Sequence, residues 1–304
     1  MHLDGIECVP ERDRDSVRGE RGNAIIRPGQ NTEDLQMSRV VALTGGATGI
    51  GAATVERLLA ADCRVYVLDV AEPKSSRTTF IHCDLGKPDA IDAAIAKLPG
   101  QLDCLVNVAG IPGPEPAMTV VAVNFLGLRH LTESLVPRIA RGGSVVNVAS
   151  TAGWDWQKRA DVVKSLLDTP DFAAGLAWLA GHREDWIGNP YKFSKQCAAA
   201  YTHRASGFAL RYGVRVNCVN PGATETQLTP AFRELVGPAM YDWGVAQIGR
   251  HGTPADIAEV IEFLAIGACR WLNGVEIVVD GGYISGLTGG WVNLDASPNA
   301  QKPR

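Results

Sequence analysis

No apolar run in the 304 residues approaches the roughly 18 that a bilayer-crossing helix needs. Basic charge is not in excess either. The 29 Lys and Arg stand against 33 Asp and Glu, a net charge of −4, which argues against a nucleic-acid surface. The seven cysteines (Cys8, Cys63, Cys83, Cys104, Cys197, Cys218, Cys269) are scattered with no C-x-x-C pair, so no metal site is expected. Several fall within strand-like runs, where a reduced thiol is a small apolar filler, and a reducing, cytoplasmic compartment is expected. What the chain does have is 46% hydrophobic and 20% charged residues, enough for a real core, at a length suited to one large α/β domain or two small ones.

The ends lack the patterning of the rest. Thirteen of residues 1–36 are charged, no helical or strand period emerges, and no apolar stretch could serve as a secretion signal. Either Met37 is the natural start or residues 1–36 form a disordered arm. After about Gly286, the Gly289-Gly290 pair, Pro298 and Pro303 mark residues 287–304 as a loose tail in which Trp291 is the candidate docking point. The folded domain is expected over 37–286.

Two local patterns carry chemistry. Tyr191 and Lys195 are four residues apart, so on a helix they share a face. A phenol titrates near 10, and a fixed cation beside it favours the anion, which makes a tyrosine a usable acid/base. A solvated helix pair is the bland alternative. The second pattern is Thr44-Gly45-Gly46-Ala47-Thr48-Gly49-Ile50-Gly51. It follows the apolar run 40–43, as expected for a strand buried on both faces, and precedes Ala52, Ala53, Val55, Leu58 and Leu59 at helical spacing. Glycines let a pyrophosphate approach the backbone, and free N–H groups at a helix start bind phosphate. A second apolar run, 65–68, ends in Asp69, which can accept from an adenosine ribose diol and would repel a 2′-phosphate. Neither Arg nor Lys follows it directly, so NAD rather than NADP is expected.

Downstream, strand-like and helical runs alternate. Strands are expected at 80–83, 102–106, 144–149, 214–219 and 275–279, with helices at 117–140, 191–212 and 254–267. Such alternation predicts an α/β fold, a Rossmann-type doubly wound parallel sheet with helices on both faces. The second and third strands are joined by about ten residues, too few for a crossover helix, so a bare loop is expected there.

In order along the chain stand the 44–51 turn, Asp84-Leu85, Asn107-Val108-Ala109-Gly110, Asn124, Ser150, Tyr191-x-x-x-Lys195 and the 221–226 run Pro-Gly-Ala-Thr-Glu-Thr. Over residues 38–283 the chain thereby resembles the short-chain dehydrogenase/reductase family, in its compact single-domain branch. The resemblance implies a dinucleotide cofactor on Gly45, Thr48, Gly49, Ile50, Gly51 and Asp69. It places Asp84 and Leu85 at the adenine, and Asn107, Ala109 and Gly110 beneath the adenosine ribose. Pro221, Gly222, Thr224 and Thr226 would hold the carboxamide end. Ser150 would bind the substrate oxygen, Tyr191 would move the proton, and Lys195 would lower the tyrosine pKa and hold the nicotinamide ribose. Asn124 would bend its carbonyl aside for a relay water. Asp84 also reads as an ordinary turn residue, and Asn124 as a buried polar residue.

From Ser150 to Tyr191 is 41 residues, an insert at 151–190 that carries four of the seven tryptophans, Trp154, Trp156, Trp178 and Trp186. Thr169-Pro170 would open a short helix with Phe172, Leu176 and Leu179 on one face. The tryptophans either wall a pocket for flat alcohols or pack the insert onto the body. Residues 227–250, with Met240, Tyr241 and Trp243, read as a lid or an anchored loop. The extra length resembles the coniferyl-alcohol dehydrogenases and the bacterial 3α-hydroxysteroid dehydrogenase/carbonyl reductases. The expectation is an NAD-dependent oxidoreductase acting on a small hydrophobic alcohol or carbonyl compound, with no nucleic-acid or membrane partner. It would form a homodimer through the last strand and the 254–267 helix, since the insert would cover the 191–212 helix. A catalytically silent NAD-binding sensor is the rival from another class, against which an intact Ser150, Tyr191 and Lys195 speaks.

Overall fold

The structure, a computed structural model, describes residues 38–300. The expectation for residues 1–36 lies outside them. In chain order the elements begin β1 (Val40–Thr44), α1 (Gly49–Ala60), β2 (Arg64–Asp69), β3 (Thr79–His82), α2 (Pro88–Ile95) and β4 (Leu102–Asn107). Next come α3 (Ala117–Val121), a π-helical segment (Ala122–Gly127), α4 (Leu128–Leu135) and β5 (Ile139–Val148). Then follow α5 (Ala160–Leu167), α6 (Phe172–Gly181), α7 (Pro190–Ala209) and β6 (Arg215–Pro221). The chain closes with α8 (Thr229–Val236), α9 (Pro238–Ile248), α10 (Pro254–Ile266), β7 (Glu276–Val279) and α11 (Tyr283–Gly289).

The strands form one seven-stranded parallel sheet in the order β3-β2-β1-β4-β5-β6-β7. The short apolar runs become strands because both faces are covered, and successive side chains feed opposite cores. Val40 and Ala42 join one core beneath α4, α7 and the insert. Val41 and Leu43 join the other beneath α1 and α10. The order reverses direction between β1 and β4, which opens a crevice at the carboxyl ends of the strands.

Several expected boundaries shift. The helix drawn through residue 140 stops at Arg138, because Ile139 already pairs with Leu102 and a bulge at 140–143 carries β5 on to Ser144. Residues 70–78 between β2 and β3 are a loop, as expected. The insert holds two helices rather than one. α6 is capped by Asp171, whose carboxylate accepts from the Ala174 N–H at 2.8 Å, rather than opened by Thr169-Pro170. Beyond Gly286, Val292 is buried and donates its N–H to the Gly286 carbonyl, and Trp291 lies over Gly282 and Gly286.

Candidate active site

The cleft at the carboxyl ends of the strands has a volume of about 910 Å3. Its floor is the turn after β1. Gly45 has φ +73° and Gly49 φ +55°, both in the left-handed region that glycine tolerates. Gly51 packs so closely that a Cβ there would lie 1.8 Å from the Gly45 carbonyl oxygen, and one at Gly45 would lie 2.7 Å from the Ala109 backbone. The Thr48 side chain makes no cap bond and no acid sits in the first turn of α1, so the helix start offers its N–H groups to the cleft. Gly45, Thr48, Gly49, Ile50 and Gly51 all line it.

One end of the cleft is acidic. Asp69, at the end of β2, accepts from the Ala47 N–H at 3.0 Å and the Ala71 N–H at 3.1 Å, so the acid is itself a tie of the glycine-rich turn. Asp84 accepts from the Gly86 N–H and from Lys87 Nζ, each at 2.9 Å, and the Lys87 bond holds its carboxyl below the usual carboxylate range. Asp84 therefore serves its own turn as well as facing the cleft, which Leu85 also lines. Ala109 and Gly110 line the middle. Asn107 does not. Its amide donates to Thr132 Oγ1 at 3.0 Å and to Asn147 Oδ1 at 2.9 Å, in a buried layer between β4, β5 and α4. Asn107, expected with Ala109 and Gly110 to give the strand a tight exit beneath the adenosine ribose, thus holds the end of β4 from within the sheet layer and does not line the cleft itself. The hydroxyl that ties the β4 exit to the floor is Thr44 Oγ1, which accepts from the Val108 and Ala109 N–H groups at 3.1 and 3.2 Å.

At the other end Ser150, Tyr191 and Lys195 converge, and Pro221, Gly222, Thr224 and Thr226 also line the cleft, Thr226 against Gly49. Asn189 caps α7 by accepting from the Lys192 N–H at 2.9 Å, and Pro190 fills the first helical position, which places Tyr191 on the opening turn. The Lys195 ammonium lies 5.9 Å from the Tyr191 ring centroid and donates to the Val148 carbonyl at 2.9 Å. Burial pulls the Lys195 pKa down to about 8. Burial pushes the Tyr191 phenol up to about 12, and the hydrogen bond with Ser150 is what opposes it. The ammonium is tied to the Val148 carbonyl, and desolvation is the larger influence on the phenol.

Asn124 does not line the cleft. It lies in the π-helical segment, fully buried, accepting from the Ile111 N–H at 2.8 Å and donating to the Ile111 carbonyl at 2.9 Å. It also donates to Ser194 Oγ at 3.0 Å, and Ser194 Oγ donates to the Tyr191 carbonyl at 2.8 Å. Asn124 thus braces the β4 exit and the first turn of α7 together. A Cβ on Gly110 would come within 3.3 Å of Asn124 Oδ1 and 3.2 Å of Lys195 Nζ.

The outer wall is aliphatic and aromatic. Residues 227–250 form α8 and α9 around Gly237, whose φ is +89°. Phe232, Leu235, Val236, Met240 and Tyr241 face the cleft, and the Phe232 ring meets the Tyr191 ring edge-on at 5.0 Å. Trp243 lies outside the lining. So do all four insert tryptophans. Trp186 is buried and donates to the Leu179 carbonyl at 2.9 Å, Trp178 stacks on His182 and Phe193, and Trp156 donates to Glu276 Oε1 at 3.0 Å. Trp156, Trp178 and Trp186 pack the insert onto the body. Phe232, Leu235 and Val236 lie in a run with no strong turn or motif signal, but Asn189-Pro190 before Tyr191 is a legible helix-start signature.

A dinucleotide fits this donor set. Backbone N–H groups and glycine-lined approach occupy the middle of the cleft, carboxylates one end, and a hydroxyl, a phenol and an ammonium the other. Comparison with known proteins agrees. A family model described as short chain dehydrogenase matches residues 39–160, and one described as enoyl-(acyl carrier protein) reductase matches 174–284. The chain belongs to the short-chain dehydrogenase/reductase family of oxidoreductases, whose fold binds a nicotinamide cofactor. It is 34% identical to a coniferyl-alcohol dehydrogenase of Pseudomonas sp., over 82% of this chain and 97% of that protein. It is 31% identical to a 3-alpha-hydroxysteroid dehydrogenase/carbonyl reductase of Comamonas testosteroni, over 80% and 95%. The crystal structure of a 3-alpha-hydroxysteroid dehydrogenase from Pseudomonas sp. B-0831, complexed with NADH, superposes with a TM-score of 0.68 at 29% identity, covering 84% of this chain and all of that one.

Proposed function

We propose that this protein is an NAD-dependent alcohol dehydrogenase/carbonyl reductase for a small hydrophobic alcohol of flat aromatic-allylic or alicyclic shape. The observation that carries the reading is the convergence of Ser150, Tyr191 and Lys195 at one end of a cleft whose floor is the glycine-rich turn. The nicotinamide supplies the hydride acceptor or donor. The Ser150 hydroxyl holds the substrate oxygen; as phenolate the Tyr191 oxygen takes the alcohol proton in oxidation, and as phenol it returns that proton in reduction. Lys195, protonated at neutral pH with its pKa near 8, holds a positive charge beside the phenol and has N–H groups left for a ribose. Asp69, with no basic residue directly after it, supports a free ribose diol over a phosphorylated one.

The aliphatic wall of α8 and α9 supports a hydrophobic substrate, and the relatives' names point to coniferyl alcohol first and a 3α-hydroxysteroid second. We also propose a homodimer through β7 and α10. The insert helices cover one flank of α7, while β7 is an edge strand and Phe263, Val278 and Trp271 are exposed at 50%, 38% and 98%. The six described cysteines are all free, which fits a cytoplasmic, reducing compartment.

The test is a dehydrogenase screen with NAD and NADP against coniferyl alcohol, a 3α-hydroxysteroid and a simple cyclic alcohol, followed by reduced-nicotinamide absorbance. Turnover with NAD and at least one alcohol is expected. Preference for NADP would overturn the reading of Asp69. Dinucleotide binding without turnover of any alcohol would favour the silent sensor.

A further inference from the structure

Between Thr151 and Ala152 at its start and Asn189 at its end, the insert does not line the cleft, and its first residues do something more. Ser150 is followed by a tight turn, Thr151–Gly153, packed against α7. A Cβ on Gly153 would lie 2.5 Å from the Lys195 carbonyl oxygen, so nothing larger than glycine allows this approach. Two residues on, Asp155 reaches α7 with both oxygens. Oδ2 pairs with Lys192 Nζ at 2.9 Å, and Oδ1 accepts from Gln196 Nε2 at 2.9 Å. Lys192 and Gln196 are each the next residue after Tyr191 and Lys195. One carboxylate therefore grips the catalytic turn of the helix at the same i, i+4 spacing as the pair it neighbours. The next residue, Trp156, shares Glu276 Oε1 with His203, at 3.0 and 2.8 Å, which ties the same segment to β7 and to the middle of α7.

We infer that Asp155 is a positioning residue that fixes the Ser150 hydroxyl in register with Tyr191 and Lys195, and that the insert acts as a clamp on the catalytic helix. This rests on the dehydrogenase reading above. The grip is short-range. Four residues separate Asp155 from Ser150, and the contact of Gly153 with the Lys195 backbone lies between them. Loosening it lets the serine and the helix shift independently. A displacement of about 1 Å between reacting groups costs on the order of a hundredfold in rate, whereas the cofactor floor, built from β1 and α1, stays in place.

Asp155→Ala is expected to lower kcat by about tenfold to a hundredfold while the Kd for NAD, measured by calorimetry, stays within about twofold. Asp155→Asn, which keeps an acceptor for Gln196, falls between, and Asp155→Glu restores part of the loss. In a double-mutant cycle, adding Lys192→Met to Asp155→Ala costs little more than Asp155→Ala alone, because the two act as one unit. Amide hydrogen exchange, read without substrate, quickens at 150–156 and 191–196 in Asp155→Ala and not at 44–51. Native kcat with native exchange in Asp155→Ala overturns the clamp. So does a loss that falls entirely on NAD binding, or exchange that quickens equally throughout the chain. If the native protein oxidises no alcohol, the dehydrogenase reading fails on its own, while the exchange pattern still decides whether Asp155 holds the helix.

Discussion

Gly51→Ala is the sharpest perturbation the cleft floor allows. The added Cβ would stand 1.8 Å from the Gly45 carbonyl oxygen, where ordinary contact begins at 3.4 Å. The turn would have to open by roughly 1.5 Å, and packed interiors do not absorb that freely. Gly45 cannot simply retreat, because its other side faces the Ala109 backbone at a distance that leaves no room for even a methyl. Overpacking of this kind costs about 1–3 kcal/mol, which corresponds to a fall in Tm of roughly 2–10 °C for a chain of this size. The N–H groups at the start of α1 move with the turn. The Kd for NAD should therefore weaken by at least about tenfold, roughly 1.4 kcal/mol. Scanning calorimetry and isothermal titration read the two effects separately. A variant with native Tm and native Kd would refute the claim that close packing of Gly45 and Gly51 shapes the cofactor floor.

Tyr191→Phe keeps the ring that meets Phe232 but removes the hydroxyl bonded to Ser150, so NAD binding should persist while turnover falls by about 10²–10⁴-fold. Asp69→Ala should relax the preference for NAD over NADP in kcat/KM and, by freeing the Ala47 N–H, weaken NAD as well. Burial depresses Lys195 from 10.5 to about 8, so between those values the unfolded chain holds a proton that the folded chain has released. Stability therefore rises with pH across that window, and any stability advantage of Lys195→Met should shrink by about 3 kcal/mol between pH 8 and pH 10.5 in chemical denaturation. Trp271→Arg, on the exposed edge beside β7, should shift sedimentation from dimer to monomer without unfolding the chain.

The glycine-rich turn, the strand before it, Asp69 and the spacing of Tyr191 to Lys195 were legible because each is a local pattern. The order of motifs placed them at the strand ends where the crevice opens. The direction of the Asn107 side chain was not legible, because side-chain direction at a strand end depends on register. Asn107 pairs across to Asn147 and turns into the layer under α4, while Thr44, the first residue of the glycine-rich run, supplies the hydroxyl that ties the floor. The tryptophans could be assigned to neither role from sequence, since an amphipathic ring suits a pocket wall and a buried anchor equally, and only Glu276, Leu179 and Phe193 settle which. Asp155 carried no signal at all. An acid in an irregular turn is unremarkable until Lys192 and Gln196 are found at its two oxygens.

The π-helical winding at Ala122–Gly127 gives the chain one residue more per turn than an α-helix there. Deleting a single residue from that stretch would restore ordinary winding and leave the following helix facing nearly as it does, because the wide turn already absorbs the extra residue. Leu128, Leu131 and Leu135 would keep to the sheet-side core, while the wide turn itself would go and with it the placement of Asn124 against Ile111 and Ser194. The stretch thus separates the seating of one amide from the seating of the helix that follows, which its plain Ala-Val-Asn-Phe-Leu-Gly composition gives no hint of.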